Sequence, residues 1–259
     1  MKSENIDGGK AFDWGRTSED YGKFRDIYPE EVYRRLLENN VGTKGQNVLD
    51  VGTGTAVIPR NMYKYGAHFV ATDISENQIA QAKKLSEGMD IELYSAPAEQ
   101  ITSKPDGFFD CITAFTCFFY FDHEKFVKTA VRSLKNHGRL AVGYLAWLPF
   151  EDEIAGKSEE LILKYNPLWS GSGETRRSIF VPEIYNEYFT TVSDMVFDVK
   201  IPFTRESWNG RMRACRGVGA SLSEEEIKSF EKEHMKMLSF YPESFEILHT
   251  AAIKILERR

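Results

Sequence analysis

The sequence is poor in several things, and each shortage excludes a class. It has only three cysteines, Cys111, Cys117 and Cys215. They are too few and too scattered for a disulfide framework, and none forms a CxxC pair of the kind a zinc ribbon needs. No long apolar run is present. The longest nearly apolar stretches, Cys111–Phe121 and Leu140–Phe150, are 11 residues each, and a membrane-spanning helix needs about 18 or more. The N-terminus, MKSENIDGGK, lacks the apolar stretch of a signal peptide. Positive charge is also short: 33 basic against 39 acidic residues leave −6. Nucleic acid and anionic lipid call for the opposite sign. The five histidines, His68, His123, His137, His234 and His249, are dispersed, so no metal is expected. There is no internal repeat and no low-complexity segment.

What is present is ordinary globular material: 259 residues, 42% hydrophobic and 28% charged. A chain of this length can form one full-sized domain, or one domain with an added lobe. The expectation is a cytoplasmic protein without partners in nucleic acid or membrane.

The first half alternates strand-like and helix-like segments. Pro29 opens a helix with Val32, Tyr33, Leu36 and Leu37 as its apolar face. Strands are expected at Asn47–Val51, His68–Thr72, Ile91–Tyr94, Phe109–Phe115 and Arg139–Leu145. Ser75 with Gln78 has capping-box spacing and starts a helix that Gly88 ends. Asp122 caps another, which carries Phe126, Val127, Ala130, Val131 and Leu134 and stops at Gly138. Continuous apolar strands alternating with helices indicate a parallel sheet covered on both faces.

The second half changes character. Residues 150–191 read as an inserted cap around the loop-like Ser170–Arg177. Val192–Phe203 reads as a strand. Ser223 with Glu226 repeats the capping signal, and Ile227, Phe230 and Met237 continue that helix. Phe245, Ile247, Ala251, Ile253 and Ile255 alternate as a strand with one buried face, with His249 in the same apolar set. Two antiparallel strands should close the sheet edge. On a helix, Arg205, Trp208, Met212, Cys215 and Gly219 would share one stripe.

The chemistry lies in Val48-Leu49-Asp50-Val51-Gly52-Thr53-Gly54-Thr55-Ala56, a buried strand running into a Gly-rich turn. Gly52 and Gly54 permit positive φ and leave no Cβ in a ligand's path. A dinucleotide fingerprint would need a third Gly where Val57 stands. Asp50 would repel a pyrophosphate but suit a zwitterionic ligand. Asp73 ends the next strand, where a carboxylate can accept hydrogen bonds from both ribose hydroxyls of an adenosine. The bland alternative is a tight turn with two surface acids.

With these residues in place, Val48–Ala56 and Asp73 resemble motif I and the following acidic position of class I S-adenosylmethionine-dependent methyltransferases. Ser95–Glu99 resembles that family's adenine loop. Phe109 through Gly138 resembles its fourth strand, helix and turn. Phe12-Asp13-Trp14-Gly15, Tyr21, Arg25 and Tyr28-Pro29 are similar to the N-terminal segment of its small-molecule branch, which includes trans-aconitate and ubiquinone-type methyltransferases. The likeness covers about residues 10–145.

The resemblance implies a doubly wound, Rossmann-like α/β fold. It would have a seven-stranded, mostly parallel sheet, its last strand antiparallel, and a helical and loop cap inserted after strand five. It implies one domain over 1–259. Within it, 1–40 would cover the cofactor and 41–149 bind it, with 150–191 and 204–240 as cap and substrate region and 192–203 and 244–257 as closing strands. The cofactor implied is S-adenosylmethionine, with S-adenosylhomocysteine as product, and the partner is a small-molecule methyl acceptor. Gly52, Thr53 and Gly54 would pass under the methionine part, and Asp50 would orient that loop or the ammonium. Asp73 would hold the ribose. Ile74 and Gln78 would flank the adenine, and Ala98 and Glu99 would meet it. Phe115 would lie near the sulfonium. Tyr21 and Arg25 would close the site, Arg25 toward the methionine carboxylate.

Two positions depart from the pattern. Ala56 replaces the third Gly, and Pro97 stands where many relatives carry an Asp. The Asp/Asn-Pro-Pro-aromatic signature of nucleobase amino-group methyltransferases is absent, since Thr116–Tyr120 follows strand four. For acceptor handling the candidates are Tyr120 and His123, with Phe118, Phe119 and Phe121 as an aromatic wall or, equally, as core. Cys117 has no base beside it and reads as an inert thiol. Arg213 and Arg216 form either a carboxylate or phosphate clamp or a solvated basic face. Trp169 and Tyr165 line the acceptor pocket or pack the cap. Two other functions stay open: a nicotinamide-dependent oxidoreductase on a similar sheet, and a protein that binds the adenosyl cofactor without turning it over.

Overall fold

The computed structural model describes residues 6–101 and 104–259. The first five residues, part of the N-terminus read above for a signal peptide, and residues 102–103 lie outside them. In chain order the elements are α1 (Ser18–Phe24), α2 (Glu30–Glu38), β1 (Asn47–Val51), α3 (Val57–Met62), β2 (His68–Asp73), α4 (Glu76–Leu85), β3 (Ile91–Ser95), β4 (Phe109–Phe115), α5 (His123–Ser133), β5 (Leu134–Trp147), α6 (Glu153–Tyr165), β6 (Phe189–Thr204), α7 (Arg205–Arg213), α8 (Glu224–Leu238) and β7 (Ser244–Arg258).

The seven strands form one sheet in the order β3-β2-β1-β4-β5-β7-β6. All the pairings from β3 to β5 are parallel. β7 runs the other way. Its start meets the end of β5 through Leu148 N–H to Leu248 C=O at 3.0 Å, and Arg259 N–H reaches Tyr188 C=O before the start of β6 at 2.9 Å. The doubly wound sheet with an antiparallel last strand is therefore as expected.

The two closing strands stand at the sheet edge as expected: β7 lies between β5 and β6, and β6 is the edge strand on that side. Burial follows: His249 to Ile253 are all buried, whereas the alternation expected of β7 appears in β6. An interior strand is covered on both faces and loses the period-two signal.

Caps were legible from local sequence. The side chains of Ser75, Asp122 and Ser223 accept the backbone N–H groups of Gln78, Lys125 and Glu226. Two helix ends were not. α5 stops at Ser133, five residues before Gly138, because Leu134 is already extended and fully buried in the core. At Gly138 an added Cβ would lie 2.9 Å from Lys135 O and 3.2 Å from Asp110 O. Gly there accommodates a kink within β5, not a helix stop. α7 stops at Arg213, so Cys215 and Gly219 leave the expected stripe. Gly219 folds back instead, its N–H on Arg213 C=O at 3.1 Å.

The chain divides into two compact units. The first comprises Tyr28–Leu145, Arg177–Phe197 and Ala251–Arg259. Its core gathers Leu49, Val51, Ile112, Phe126, Leu134 and Leu140. The second comprises Met1–Ile27, Ala146–Arg176 and Asp198–Thr250. It is built on aromatic side chains, with Trp208 5.7 Å from Trp147 and 4.8 Å from Phe203 between ring centroids. Among the described residues no helix is long and apolar enough to cross a membrane.

Candidate functional site

In the first unit the buried residues Val48, Leu49 and Val51 carry β1 into the interior and deliver Asp50 there, 2% exposed. The turn beyond it is left-handed at Gly52 (φ 62°), Gly54 (φ 57°) and Ala56 (φ 60°). Ala56 thus adopts the conformation that suits the third Gly of related turns, at a strain of roughly 1 kcal/mol. Thr53 N–H ties the turn to Thr72 C=O at 2.8 Å. At Gly52 an added Cβ would lie 2.7 Å from Cys117 Cβ and Sγ. The thiol packs under the loop, 3.1 Å from Val51 C=O, and burial holds its pKa well above the usual range. An inert thiol fits that setting.

Asp50 accepts the Thr113 hydroxyl at 2.5 Å. Burial raises its pKa to about 7, against hydrogen bonds from Thr113 and Thr53 that favour the charged form. Its partners are the neighbouring strand and the loop, so it braces the loop from below.

Asp73 ends β2. One carboxylate oxygen accepts Gly54 N–H at 2.9 Å and the other Ser75 N–H at 2.8 Å. Burial raises its pKa, opposed by those two amides. It therefore joins the Gly-rich turn to the start of α4. Ile74 beside it is 60% exposed, while Gln78 and Ala98 are buried. The loop after β3 is anchored here as well, by Ala96 N–H on Asp73 C=O at 3.0 Å.

Glu99 is placed otherwise than expected. Its carboxylate accepts the backbone N–H of Asp122 at 2.8 Å, and its carbonyl accepts the Thr129 hydroxyl at 2.8 Å. A free amide at a helix start attracts a carboxylate more strongly than an open loop does, so the side chain serves α5. Phe115 closes the end of β4 over Gly143, where any Cβ would collide with its ring. Its other face meets Tyr28 edge-on at 5.6 Å, and the Tyr28 hydroxyl pairs with that of Thr116 at 2.7 Å. Tyr28 had no assigned role in the sequence reading, although it stands in the N-terminal motif.

Tyr120 closes a short turn with its ring 4.3 Å from that of Phe119. His123 begins α5, its Nδ1 3.0 Å from the Tyr185 hydroxyl and its ring 4.6 Å from Phe118. Burial lowers its pKa. Tyr185 arrives 62 residues later in the chain, and no local signal marks it. Of the aromatic wall, Phe118 is core and Phe119 is exposed.

The remaining candidates lie in the second unit. The Arg25 guanidinium rests 4.4 Å over the Tyr21 ring and donates to Ala214 C=O at 3.2 Å. Arg213 and Arg216, read from the sequence as either a clamp or a solvated face, are each paired within the chain. Arg213 pairs with both oxygens of Asp20, at 2.6 and 2.8 Å, and with Glu231. Arg216 pairs with buried Asp7 at 3.1 Å and donates to Ser170 Oγ at 3.1 Å. Carboxylates of the chain itself satisfy both groups, so they tie segments together. Trp169 is buried against Gly171 and Gly217. Among the described residues no three metal-binding side chains gather.

A Gly-rich turn at the end of β1, an acid at the end of β2 and this strand order follow the pattern of nucleotide-type ligand sites on doubly wound sheets. Residues 49–142 match the family model of the methyltransferase domain. Over that segment the chain is similar to S-adenosylmethionine-dependent methyltransferases of class I.

Similar proteins are consistent with that class. The chain is 28% identical to the ubiquinone biosynthesis O-methyltransferase of Aromatoleum aromaticum over 105 residues, 40% of this chain and 44% of that one. It is 27% identical to the enzyme of the same name from Pseudomonas entomophila over 157 residues, 60% of this chain and 66% of that one. The matches thus span less than two thirds of these curated relatives. In fold it is similar to a protein of Anaeromyxobacter dehalogenans provisionally named a type II methyltransferase (TM-score 0.57, 17% identity, covering 90% of this chain and 97% of that one). It is also similar to YjhP from E. coli (TM-score 0.54, 17% identity, covering 95% and 99%).

Proposed function

We propose that this chain transfers the methyl group of S-adenosylmethionine to a small-molecule acceptor. The observation that carries the reading is Asp73, whose two oxygens are held by the amides of Gly54 and Ser75. Each oxygen keeps a lone pair for a ribose hydroxyl, and exposed Ile74 beside it offers an apolar face to an adenine. The open backbone of Gly52, Thr53 and Gly54 is the cradle for the methionine part, and Gln78 and Ala98 back the adenine side.

S-adenosylmethionine supplies a methyl group already activated on a sulfonium. The chain's own residues then have to align the acceptor and exclude water. Phe115 and Tyr28 provide an apolar boundary at the end of β4. Where the acceptor must lose a proton, His123 is the base, because burial lowers its pKa and keeps its imidazole neutral near pH 7. Tyr120 is the second acceptor-side group. The names of the relatives favour an oxygen acceptor. The net negative charge speaks against nucleic acid, and three free cysteines agree with a reducing, cytoplasmic setting.

Thermal unfolding with S-adenosylmethionine, S-adenosylhomocysteine and NAD, each in excess, tests the reading. A ligand at 100 times its Kd adds about 2.7 kcal/mol of stability. The midpoint should rise with the two adenosyl ligands and not with NAD. A rise with NAD alone would replace the methyltransferase by an oxidoreductase, and no rise at all would remove the cofactor. Release of S-adenosylhomocysteine with an acceptor then separates turnover from binding.

A further inference from the structure

β6 is an edge strand of the sheet, and its residues 189–197 belong to the first unit. An edge strand offers a row of backbone donors and acceptors to any other strand. Proteins blunt such edges with lysine, proline, bulges or brevity. Residues 189–197 (FTTVSDMVF) contain no lysine, proline or glycine and one charge, Asp194. They are instead rich in Thr, Val and Phe, which favour strands. Lys200 and Pro202 come only farther along. One face of the stretch is covered by α2, whose Arg35 guanidinium lies 3.9 Å over the Phe197 ring. On the other face Val192 and Val196 are 45% and 40% exposed. Asp194 between them accepts the Ser178 hydroxyl at 2.8 Å and pairs with Lys254 at 3.0 Å, and Lys254 also donates to Ile179 C=O at 2.7 Å. Phe180, next in the chain, is 79% exposed. The edge therefore carries exposed apolar side chains around one charge that Lys254 already compensates.

The same stretch is complementary to itself. Two copies laid antiparallel with Val192 on the twofold axis set Val192 against the partner's Val192 and Thr191 against the partner's Ser193. Asp194 then lies opposite the partner's Thr190. The Thr190 hydroxyl accepts the Arg259 Nε–H at 3.2 Å, so each carboxylate also meets a cation across the axis. Opposite charges and hydroxyl pairs facing each other across strands stabilise the pairing. Symmetry repeats the contact, as an isologous interface requires. Centring the pair on Asp194 instead would oppose two carboxylates, and that repulsion sets the register.

We propose that this chain forms a homodimer in which residues 189–197 of β6 pair antiparallel with the same residues of a second copy, about Val192, so that one sheet runs through both copies. The Asp194 carboxylate and the Arg259 guanidinium of opposite copies flank the seam on either side of the axis. The dimer needs neither cofactor nor acceptor, so it stands or falls apart from the methyltransferase reading.

The test is sedimentation velocity of the full chain, up to high micromolar concentration. The wild type should sediment as a species of twice the chain mass. Val192→Lys sets two ammonium groups face to face on the axis and should raise the dissociation constant roughly tenfold or more. Arg259→Glu sets a second carboxylate against Asp194 and should raise it as well. Both positions are exposed, so the far-UV circular dichroism of each variant should match the wild type. Leu85→Lys, on α4, should remain a dimer. A second measurement reads the register directly. Opposed Cα atoms in an antiparallel pair lie about 4.5–5.5 Å apart, within disulfide reach. Val192→Cys should therefore link two chains on mild oxidation, where the wild type and Leu85→Cys do not. A wild type that is monomeric at every concentration would overturn the dimer and leave the edge to a strand of another protein. A dimer that survives both Val192→Lys and Arg259→Glu would place the interface elsewhere and overturn it too. So would Leu85→Lys dissociating as far as Val192→Lys, or an oxidised Val192→Cys chain that stays single.

Discussion

The Asp73 carboxylate accepts the Gly54 backbone N–H at 2.9 Å, so the acid at the end of β2 holds the glycine turn at the end of β1 before any ligand arrives. Preorganisation of this kind lowers the ordering cost of binding. Asp73→Ala should therefore act twice. It should lower the unfolding free energy of the free protein, and it should weaken adenosyl-ligand binding by about 1–3 kcal/mol. Urea unfolding and titration calorimetry read the two effects separately. Wild-type affinity in the variant would mean that the ribose lies elsewhere.

Gly52 combines a left-handed backbone with a crowded side, its would-be Cβ 2.7 Å from Cys117. Gly52→Ala should cost about 2 kcal/mol or more in stability, the sum of backbone strain and overpacking. Adding Cys117→Gly should return the steric part and leave the φ penalty. A double-mutant cycle with no coupling would show that the thiol and the loop are not in contact.

The two buried acid–base groups predict opposite pH limbs. Asp50 rises from 3.8 to about 7 on folding. Between about pH 4 and pH 7 the folded chain keeps a proton that the unfolded chain releases, so this contribution to stability is lost as pH rises through that window. Asp50→Asn removes the effect. Its stability relative to wild type should climb from pH 4 to pH 8. Parallel curves would contradict the burial assigned to Asp50.

His249 behaves in the reverse sense. Burial lowers its pKa from 6.5 to about 3, its Nδ1 bonds Ile247 C=O at 2.9 Å, and Nε2 has no partner among the described residues. Below about pH 6.5 the unfolded imidazole takes a proton that the folded one refuses, so stability falls as pH drops toward 3. His249→Leu should shift the acid-unfolding midpoint to lower pH. An unchanged midpoint would mean that other groups govern the acid limb.

Arg216 and Asp7 form a buried ion pair. Arg216→Met strands the Asp7 charge and should cost about 3 kcal/mol. Asp7→Asn in the same chain should recover part of it, because no uncompensated charge then remains. Equilibrium unfolding of the wild type, the two single variants and the double variant measures the coupling, and Arg216→Met at wild-type stability would mean that the pair contributes nothing.

The sequence alone determined whatever is encoded within a few residues. β1 and β4 fall on the expected bounds, and Ser75, Asp122 and Ser223 cap the helices they were expected to cap, because strand burial and capping are local. The Gly-rich turn was legible for the same reason: Asp50, Gly52 and Gly54 lie within five residues of one another, and Asp73 ends the very next strand. Only the tertiary structure decided the rest. β7 slips between β5 and β6, which no local pattern announces. Glu99 turns to the start of α5, where an amide awaits it. His123 meets Tyr185 from a distant segment. Among the arginines, Arg213 and Arg216 are claimed by Asp20, Glu231 and Asp7, while Arg211 and Arg25 are laid on aromatic rings. A sequence shows which residues carry charge, but which charge finds which partner depends on contacts between segments far apart in the chain.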